Sequence, residues 1–325
     1  MATFRQPAYQ VVVIVPTLNN AADLERCLAA LGRQQYRDFT ILVVDSHSVD
    51  RTRAVAAAAG ARYLDTDTTT RADACNAALS TSAGELVAFT DDDCIPPPEW
   101  LGRLVAHFAD RDLSSVGGPS FAPPGQPLVA RAADVAMAAR WFTAGTRYGR
   151  QGGALSEIDH NSGCNAVYRR EAIALAGGFP PGAAGCEDLV LDARLRAAGG
   201  RIRYDPAAWT HHRRRESLAA LYRMGRSYGR GRANAGRLVR SLVRPVHWLP
   251  AIAVATGALL VAAALAAAVL PAAVTGAWRS PLPLAALLVG FGVGFLGVIA
   301  SPPRAVAAAT AAPQEMTGAR RAPGR

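Results

Sequence analysis

Three consecutive carboxylates, Asp91, Asp92 and Asp93, close an apolar run in "ELVAFTDDDCIPPPEWL". Adjacent like charges repel unless solvent or a cation offsets them. Mg²⁺ or Mn²⁺ accepts one or two protein carboxylates and completes its shell with phosphate oxygens and water. In an extended segment alternate side chains share a face, so Asp91 and Asp93 are expected in one site while Asp92 turns away. A solvated acidic turn is the bland alternative, and the position of the triplet at the end of a buried strand favours the cation. A second pair, Glu187 and Asp188, opens "EDLVLDARLRAAGG", whose periodicity and closing glycines predict a helix. Acids at a helix start also simply complement its dipole.

The elements that must position these groups alternate over the first 120 or so residues. "QVVVIVP" reads as a buried strand closed by Pro16, and "AADLERCLAALGRQ" as a helix with Leu24, Cys27, Leu28 and Leu31 on one face. "DFTILVVDSHSVD" is a second strand ending at Asp45, followed by a helix in "SVDRTRAVAAAAG" capped by Ser48 and closed by Gly60. "ARYLD" is a third strand, "RADACNAALSTSAG" a third helix and "ELVAFTDDD" a fourth strand. Such alternation predicts an α/β fold with a mostly parallel central sheet covered by helices on both faces. Ligands of these sheets bind beyond the C-terminal strand ends, where "PTLNN", "DSHSVD" and "TDDDC" all fall. No glycine-rich phosphate loop follows the first strand, which argues against a dinucleotide-dependent dehydrogenase or a P-loop ATPase.

Five segments, in this order, carry a resemblance: "VVVIVPTLNN", "ILVVDSHSVDRT", "LVAFTDDDCIPPPEWL", "NSGCNAVYRREAIALAGGFP" and "CEDLVLDARLRAAGGRIRYDP". Over residues 10 to 232 or so the chain resembles the family 2 glycosyltransferases, whose catalytic domain has the Rossmann-like GT-A fold. The resemblance implies a nucleotide-diphosphate sugar donor, a UDP- or GDP-sugar, and a divalent metal, Mg²⁺ or Mn²⁺. It implies that Pro16, Thr17 and Asn19 line the base and ribose, that Asp45 faces the base, and that Asp91 approaches the ribose. Asp93, with Asp91, would hold the metal under the diphosphate. Gly163 and Asn165 would lie on the acceptor side.

Of the Glu-Asp pair, the resemblance implies that one carboxylate is a general base, and Asp188 is the expected one, with Glu187 as helper. The chemistry asks for such a group: displacement at the anomeric carbon needs a base on the face opposite the departing diphosphate. Asn20, Ser46, Cys75 and Val190 depart from the family pattern, Cys75 at a position often held by Arg. These departures bear on base contacts and sugar identity.

All 35 basic residues are Arg, and the net charge is +10. Ten of these arginines fall between His211 and Arg244, with Glu216 the one acid there. In that stretch Arg223 and Arg226 bear a faint likeness to the signature of processive members, and an Arg pair can clamp a departing diphosphate. The other reading is an interfacial helix whose arginines meet lipid headgroups. His211 and His212 read as a metal or acceptor contact, or as an ordinary polar surface pair. Nothing resembles a nucleic-acid-binding motif.

No charged residue interrupts Trp248 to Ala277 or Ser280 to Pro303. Each stretch exceeds the roughly 20 residues that cross a bilayer core. Two transmembrane helices, a hairpin at 246–303, are therefore expected, with both flanks cytoplasmic by charge. The five cysteines lack zinc-ligand spacing and read as reduced thiols.

The expected organisation is an extension at 1–9, a catalytic domain at 10–210, a basic helical segment at 211–245, the hairpin, and a disordered basic tail at 304–325. The expected activity is metal-dependent, inverting transfer of a sugar to a lipid-linked or otherwise membrane-associated acceptor, from the cytoplasmic side of the plasma membrane. The alternatives are a non-catalytic nucleotide-binding scaffold, a processive polysaccharide synthase, and a nucleotidyltransferase.

Overall fold

Strand β1 (Val11–Thr17) is buried on both faces because its side chains alternate between two apolar layers. Val11, Val13 and Val15 join one layer, and Val12 and Ile14 join the other. The computed structural model describes residues 9–138, 153–255 and 282–299. Within them, β1 is followed by α1 (Ala21–Gly32), β2 (Phe39–Asp45), α2 (Thr52–Ala58), β3 (Arg62–Asp65), α3 (Arg71–Thr81) and β4 (Leu86–Thr90). The alternation expected from the sequence is present element by element. Leu24, Cys27, Leu28 and Leu31 of α1 are buried together.

The chain continues through β5 (Cys94–Ile95), α4 (Trp100–Ala106), β6 (Leu113–Gly117), β7 (Ser120–Phe121) and α5 (Leu128–Ala138). Beyond it lie β8 (Ser156–Glu157), β9 (Asn165–Arg169), α6 (Arg170–Leu175), α7 (Glu187–Ala197), β10 (Arg201–Tyr204) and β11 (Thr210–His212). The main sheet has the order β3-β2-β1-β4-β9-β6-β10-β8. Its first four strands pair in parallel, as do β6 and β10, while β9 and β8 run against their neighbours. The expected mostly parallel sheet is therefore observed.

Three short strands form a second sheet, β5-β11-β7. It pairs His212 with Cys94 in antiparallel register, and so carries His211 and His212 up to the aspartate triplet. The Arg213 amide then donates to the Asp93 carbonyl at 3.1 Å.

Two local expectations are corrected. Helix α2 begins after Arg51 rather than at Ser48, because the Ser48 hydroxyl donates to Asp45 Oδ1 at 2.6 Å. The aspartate triplet lies beyond the end of β4, in a turn closed by the Cys94 amide donating to the Asp91 carbonyl at 3.1 Å. A turn, not strand alternation, sets where its side chains go.

The basic segment forms α8 (Leu218–Leu238), capped by the Ser217 hydroxyl, and the apolar C-terminal residues supply α9 (Leu249–Ala255) and α10 (Leu282–Ile299). Among the described residues, no helix is long and apolar enough to cross a membrane. The expected hairpin is accordingly not found among them. Most of its first span falls outside them, and α10, from its second, docks along α8. Glycines let the two backbones touch: a Cβ on Gly225 would lie 2.2 Å from the Leu287 carbonyl oxygen, and one on Gly294 would lie 1.9 Å from that of Arg226. The expected extension at 1–9, apart from its last residue, and the tail at 304–325 fall outside the described residues.

Candidate active site

Side-chain hydrogen bonds join the C-terminal ends of β1 and β4, the loops after β1 and β2, and the first turns of α3 and α7. Thr70 caps α3, its hydroxyl accepting from the Asp73 amide at 3.2 Å, and so fixes where Arg71 leaves the helix. The Arg71 guanidinium then donates to Asp91 Oδ1 from Nε (3.2 Å) and Nη2 (3.1 Å), to Glu187 Oε1 from Nη1 (3.2 Å), and to the Gly163 carbonyl from Nη2 (2.9 Å). One cation thus joins the triplet, the Glu-Asp pair and the "NSGCN" turn. Burial works against its charge, but Asp91, then Cys75, Glu187 and Asp188 hold its pKa above the usual value. Cys75 itself lies one turn further along α3, and burial first of all pushes its thiol up to about 12. The guanidinium at this site therefore comes from Arg71, which the sequence reading overlooked.

Asp91 and Asp93 converge with His212: one ligand atom from each lies within 4.8 Å of the others. His212 Nε2 is 3.1 Å from Asp93 Oδ1, and Arg215 Nη1 is 3.8 Å from its Oδ2. Burial alone would raise Asp93, but His212, Arg215 and Arg214 hold its carboxyl below the ordinary value. Arg214, itself buried, donates from Nη1 to His212 Nδ1 at 3.1 Å and from Nε to Asp134 Oδ1 at 2.7 Å. Arg214 thus fixes the ring's orientation, and ligation through Nε2 would take the tautomer with the proton on Nδ1 and release that hydrogen bond. Two carboxylates and one ring nitrogen fit a divalent cation that takes its remaining ligands from phosphate and water.

Asp92 goes the other way. It accepts from the Thr17 hydroxyl at 2.7 Å and from Asn20 Nδ2 at 2.9 Å, tying the triplet to the end of β1. Burial first, and then Asp93, push it up to about 7, with Thr17 opposing. Asn19 adopts a left-handed backbone (φ 51°) and accepts from the Val49 amide at 2.8 Å through Oδ1, joining the loops after β1 and β2. Asp45 is fully buried, with one oxygen taken by Ser48 and the other by the Tyr63 hydroxyl at 2.6 Å. Pro16 and Thr17 end β1 directly beside Val44 and Asp45.

Helix α7 starts after Cys186, which is strained into the left-handed region (φ 63°). Asp188 Oδ2 accepts from the Gly163 amide at 2.9 Å. Its side chain keeps 18% exposure against 7% for Glu187. Glu187 is pushed up by burial, against the pull of Arg71, and its Oε2 is buried with no partner.

Behind Asp188 stands His160, another residue that the sequence reading did not single out. Its Nε2 is 3.8 Å from Asp188 Oδ2, and its Nδ1 is 2.8 Å from Oδ2 of the buried Asp192. Burial would lower its pKa, but Asp188 and then Asp192 raise it.

Gly163 lies between Arg71 and Asp188, and a Cβ there would come within 3.1 Å of both side chains. Asn165 is fully buried: Nδ2 donates to the Pro119 and Ala208 carbonyls, both at 2.9 Å, and Oδ1 accepts from Trp100 Nε1 at 2.7 Å. Arg223 and Arg226 are exposed on α8, and among the described residues no hydrogen bond or ion pair joins them to the carboxylates.

Residues 12–175 match the family described as Glycosyl transferase family 2. The succinoglycan biosynthesis protein ExoM of Rhizobium meliloti is 29% identical over 228 residues, 64% of this chain and 70% of that protein. The pre-mycofactocin glycosyltransferase of Mycobacterium tuberculosis is 31% identical over 214 residues, 64% of this chain but 43% of that protein. Glycosyltransferase AglE of Haloferax volcanii is 32% identical over 116 residues, 33% of this chain and 38% of that protein. The chain thus matches less than half the length of the latter two relatives. In fold it is similar to the mannosyltransferase PcManGT from Pyrobaculum calidifontis, solved with GDP-Man and Mn²⁺, at TM-score 0.61 and 23% identity, covering 89% of this chain and 87% of that one.

Proposed function

From the premise that the chain belongs to glycosyl transferase family 2, we propose that it moves one sugar from a UDP- or GDP-sugar to a membrane-associated acceptor, with inversion at the anomeric carbon. The observation that carries the reading is the convergence on Arg71 of Asp91, Glu187 and the Gly163 carbonyl, with Asp188 bonded to the Gly163 amide. In this reading Asp91 is the phosphate-side carboxylate and Asp188 the base-side one, and Arg71 and Gly163 link them. A glycosyltransferase needs both.

In this reading Asp91, Asp93 and His212 hold Mg²⁺ or Mn²⁺, a cation that neutralises charge on the leaving diphosphate. The similar fold of PcManGT, solved with GDP-Man and Mn²⁺, supports the choice of donor class and ion. Thr17, Asn19 and Asp45 shape the loops at the ends of β1 and β2 against which base and ribose rest. Asp188 takes the proton from the acceptor hydroxyl as that oxygen attacks. Glu187, neutralised by Arg71, keeps a second full negative charge away from the base.

The acceptor is assigned to a membrane because of the charge-free runs at 248–277 and 280–303 and the exposed arginines of α8, which suit anionic headgroups or lipid phosphates. The same features support a catalytic domain on the cytoplasmic face of the plasma membrane in this reading, which a reporter fused to the C-terminus tests.

The test of function is thermal stabilisation of the purified protein by UDP, GDP, TDP and CMP, each with and without Mn²⁺. A ligand that binds only the folded state raises its apparent stability. One nucleotide is expected to act, and only with Mn²⁺. A folded protein that responds to none of them contradicts the reading.

A further inference from the structure

His212 belongs to two clusters. It is the nitrogen donor beside Asp91 and Asp93, and it also lies with Cys94 and Cys164, one ligand atom of each again within 4.8 Å of the others. The second cluster is built by the fold: β11 pairs His212 directly with Cys94, and Cys164 arrives from the turn before β9. Cys94 Sγ is 3.8 Å from the Cys164 carbonyl oxygen, and Cys164 Sγ is 3.2 Å from the Ser162 hydroxyl. Both thiols are buried, and all five cysteines are free.

We propose that Cys94, Cys164 and His212 form a second metal site, selective for a thiophilic divalent cation such as Zn²⁺, whose occupation withdraws His212 from the Asp91–Asp93 pair. Two sulfurs and one imidazole form a soft donor set that prefers Zn²⁺ to Mg²⁺ or Mn²⁺. Three protein ligands with a fourth position left to water or a carboxylate is a common zinc arrangement. Asp93, beside Cys94 in sequence and 3.1 Å from His212, is the nearby carboxylate.

Exclusivity follows from the single imidazole. Nε2 faces Asp93; to bind a cation there it passes its proton to Nδ1, which gives up the hydrogen bond from Arg214, and it offers a single lone pair. It serves one ion at a time. Binding of Zn²⁺ displaces a proton from each thiol to solvent, each sulfur giving an electron pair to the metal, with no change of oxidation state. Metal occupancy at the thiols is thereby coupled to the site in which the donor diphosphate is read, and Zn²⁺ acts as an inhibitor competitive with Mn²⁺. This last consequence rests on the proposed function, whereas the site itself does not.

The deciding experiment titrates the reduced full-length protein with Co²⁺ alone and no nucleotide. The expected result is one Co²⁺ per chain with a thiolate-to-cobalt charge-transfer absorption, erased by stoichiometric Zn²⁺ and not by Mn²⁺. Cys94→Ser and Cys164→Ser should each weaken binding by roughly 100-fold or more, beyond the 10–100-fold of outer-shell changes. Cys94→Ala and Cys164→Ala stand in where a serine variant fails to fold, and the wild-type spectrum decides without any variant. Absence of the band in reduced wild type, or its survival in both variants, overturns the proposal.

A second arm follows the Mn²⁺-dependent nucleotide shift as Zn²⁺ is added. Zn²⁺ should suppress it in wild type and not in Cys164→Ser. A cobalt band in a protein that binds no nucleotide upholds the metal site while overturning the functional reading.

Discussion

Arg71 and Asp91 meet through two nitrogens on one oxygen, Nε at 3.2 Å and Nη2 at 3.1 Å from Oδ1. The same guanidinium spends Nη1 on Glu187. Removing it leaves two acids of opposite assigned roles without their shared counter-charge. Arg71→Ala should destabilise the fold by about 1–3 kcal/mol in urea unfolding, less than the 3–5 of a fully buried pair because Asp91 is partly exposed. Arg71→Lys should restore charge but not the fork, and recover only part of the transfer rate. Wild-type turnover in Arg71→Ala would remove it from the site.

Asp188→Asn keeps the shape and the bond from the Gly163 amide while removing basicity. Nucleotide binding by calorimetry should be unchanged and kcat should fall by roughly 10²–10⁴. Near wild-type turnover would place the base elsewhere.

Asp93→Ala should abolish metal-dependent nucleotide binding. His212→Gln should weaken the apparent Mn²⁺ affinity by roughly 100-fold or more, beyond the 10–100-fold of outer-shell changes, with circular dichroism unchanged. Nucleotide titrations at several Mn²⁺ concentrations separate the metal effect from a loss of nucleotide contact.

His160 faces Asp188 and Asp192 of α7, with the positive Arg232 of α8 opposing them. Its folded pKa is raised above the usual 6.5. A raised value means that the imidazolium contributes its stability in full below the unfolded pKa, and loses it as pH rises through the folded one. The melting-temperature gap between wild type and His160→Gln should therefore be widest near pH 6 or so and narrow on the alkaline side. A gap that is constant with pH would mean that folding leaves the His160 pKa unshifted, and one that widens with rising pH that His160 is held neutral.

Asn165 spends three hydrogen bonds on Trp100, Pro119 and Ala208. Asn165→Ala strands these buried groups at about 1–3 kcal/mol each before relaxation. A fall of several degrees in melting temperature is expected, with the KM for acceptor in the surviving enzyme unchanged. A selective rise in that KM would instead make Asn165 an acceptor contact.

By itself, the sequence determined the order of strands and helices, since period-two and period-3.6 apolar patterns are local: Val11 to Val15 and Leu24 to Leu31 declare themselves without their neighbours. It also located the acids, because strand ends in such sheets are where ligands bind. Tertiary structure decided who meets them. Nothing local marked Arg71 until α3 was set against α7, and His212 stayed open between a metal or acceptor contact and a surface position until a two-residue strand 117 or so positions earlier in the chain paired with it. His160 and Asp192, 32 residues apart, become a pair only when the chain after β8 crosses α7. Each of these contacts joins residues with no periodic relation, so no local pattern could register it.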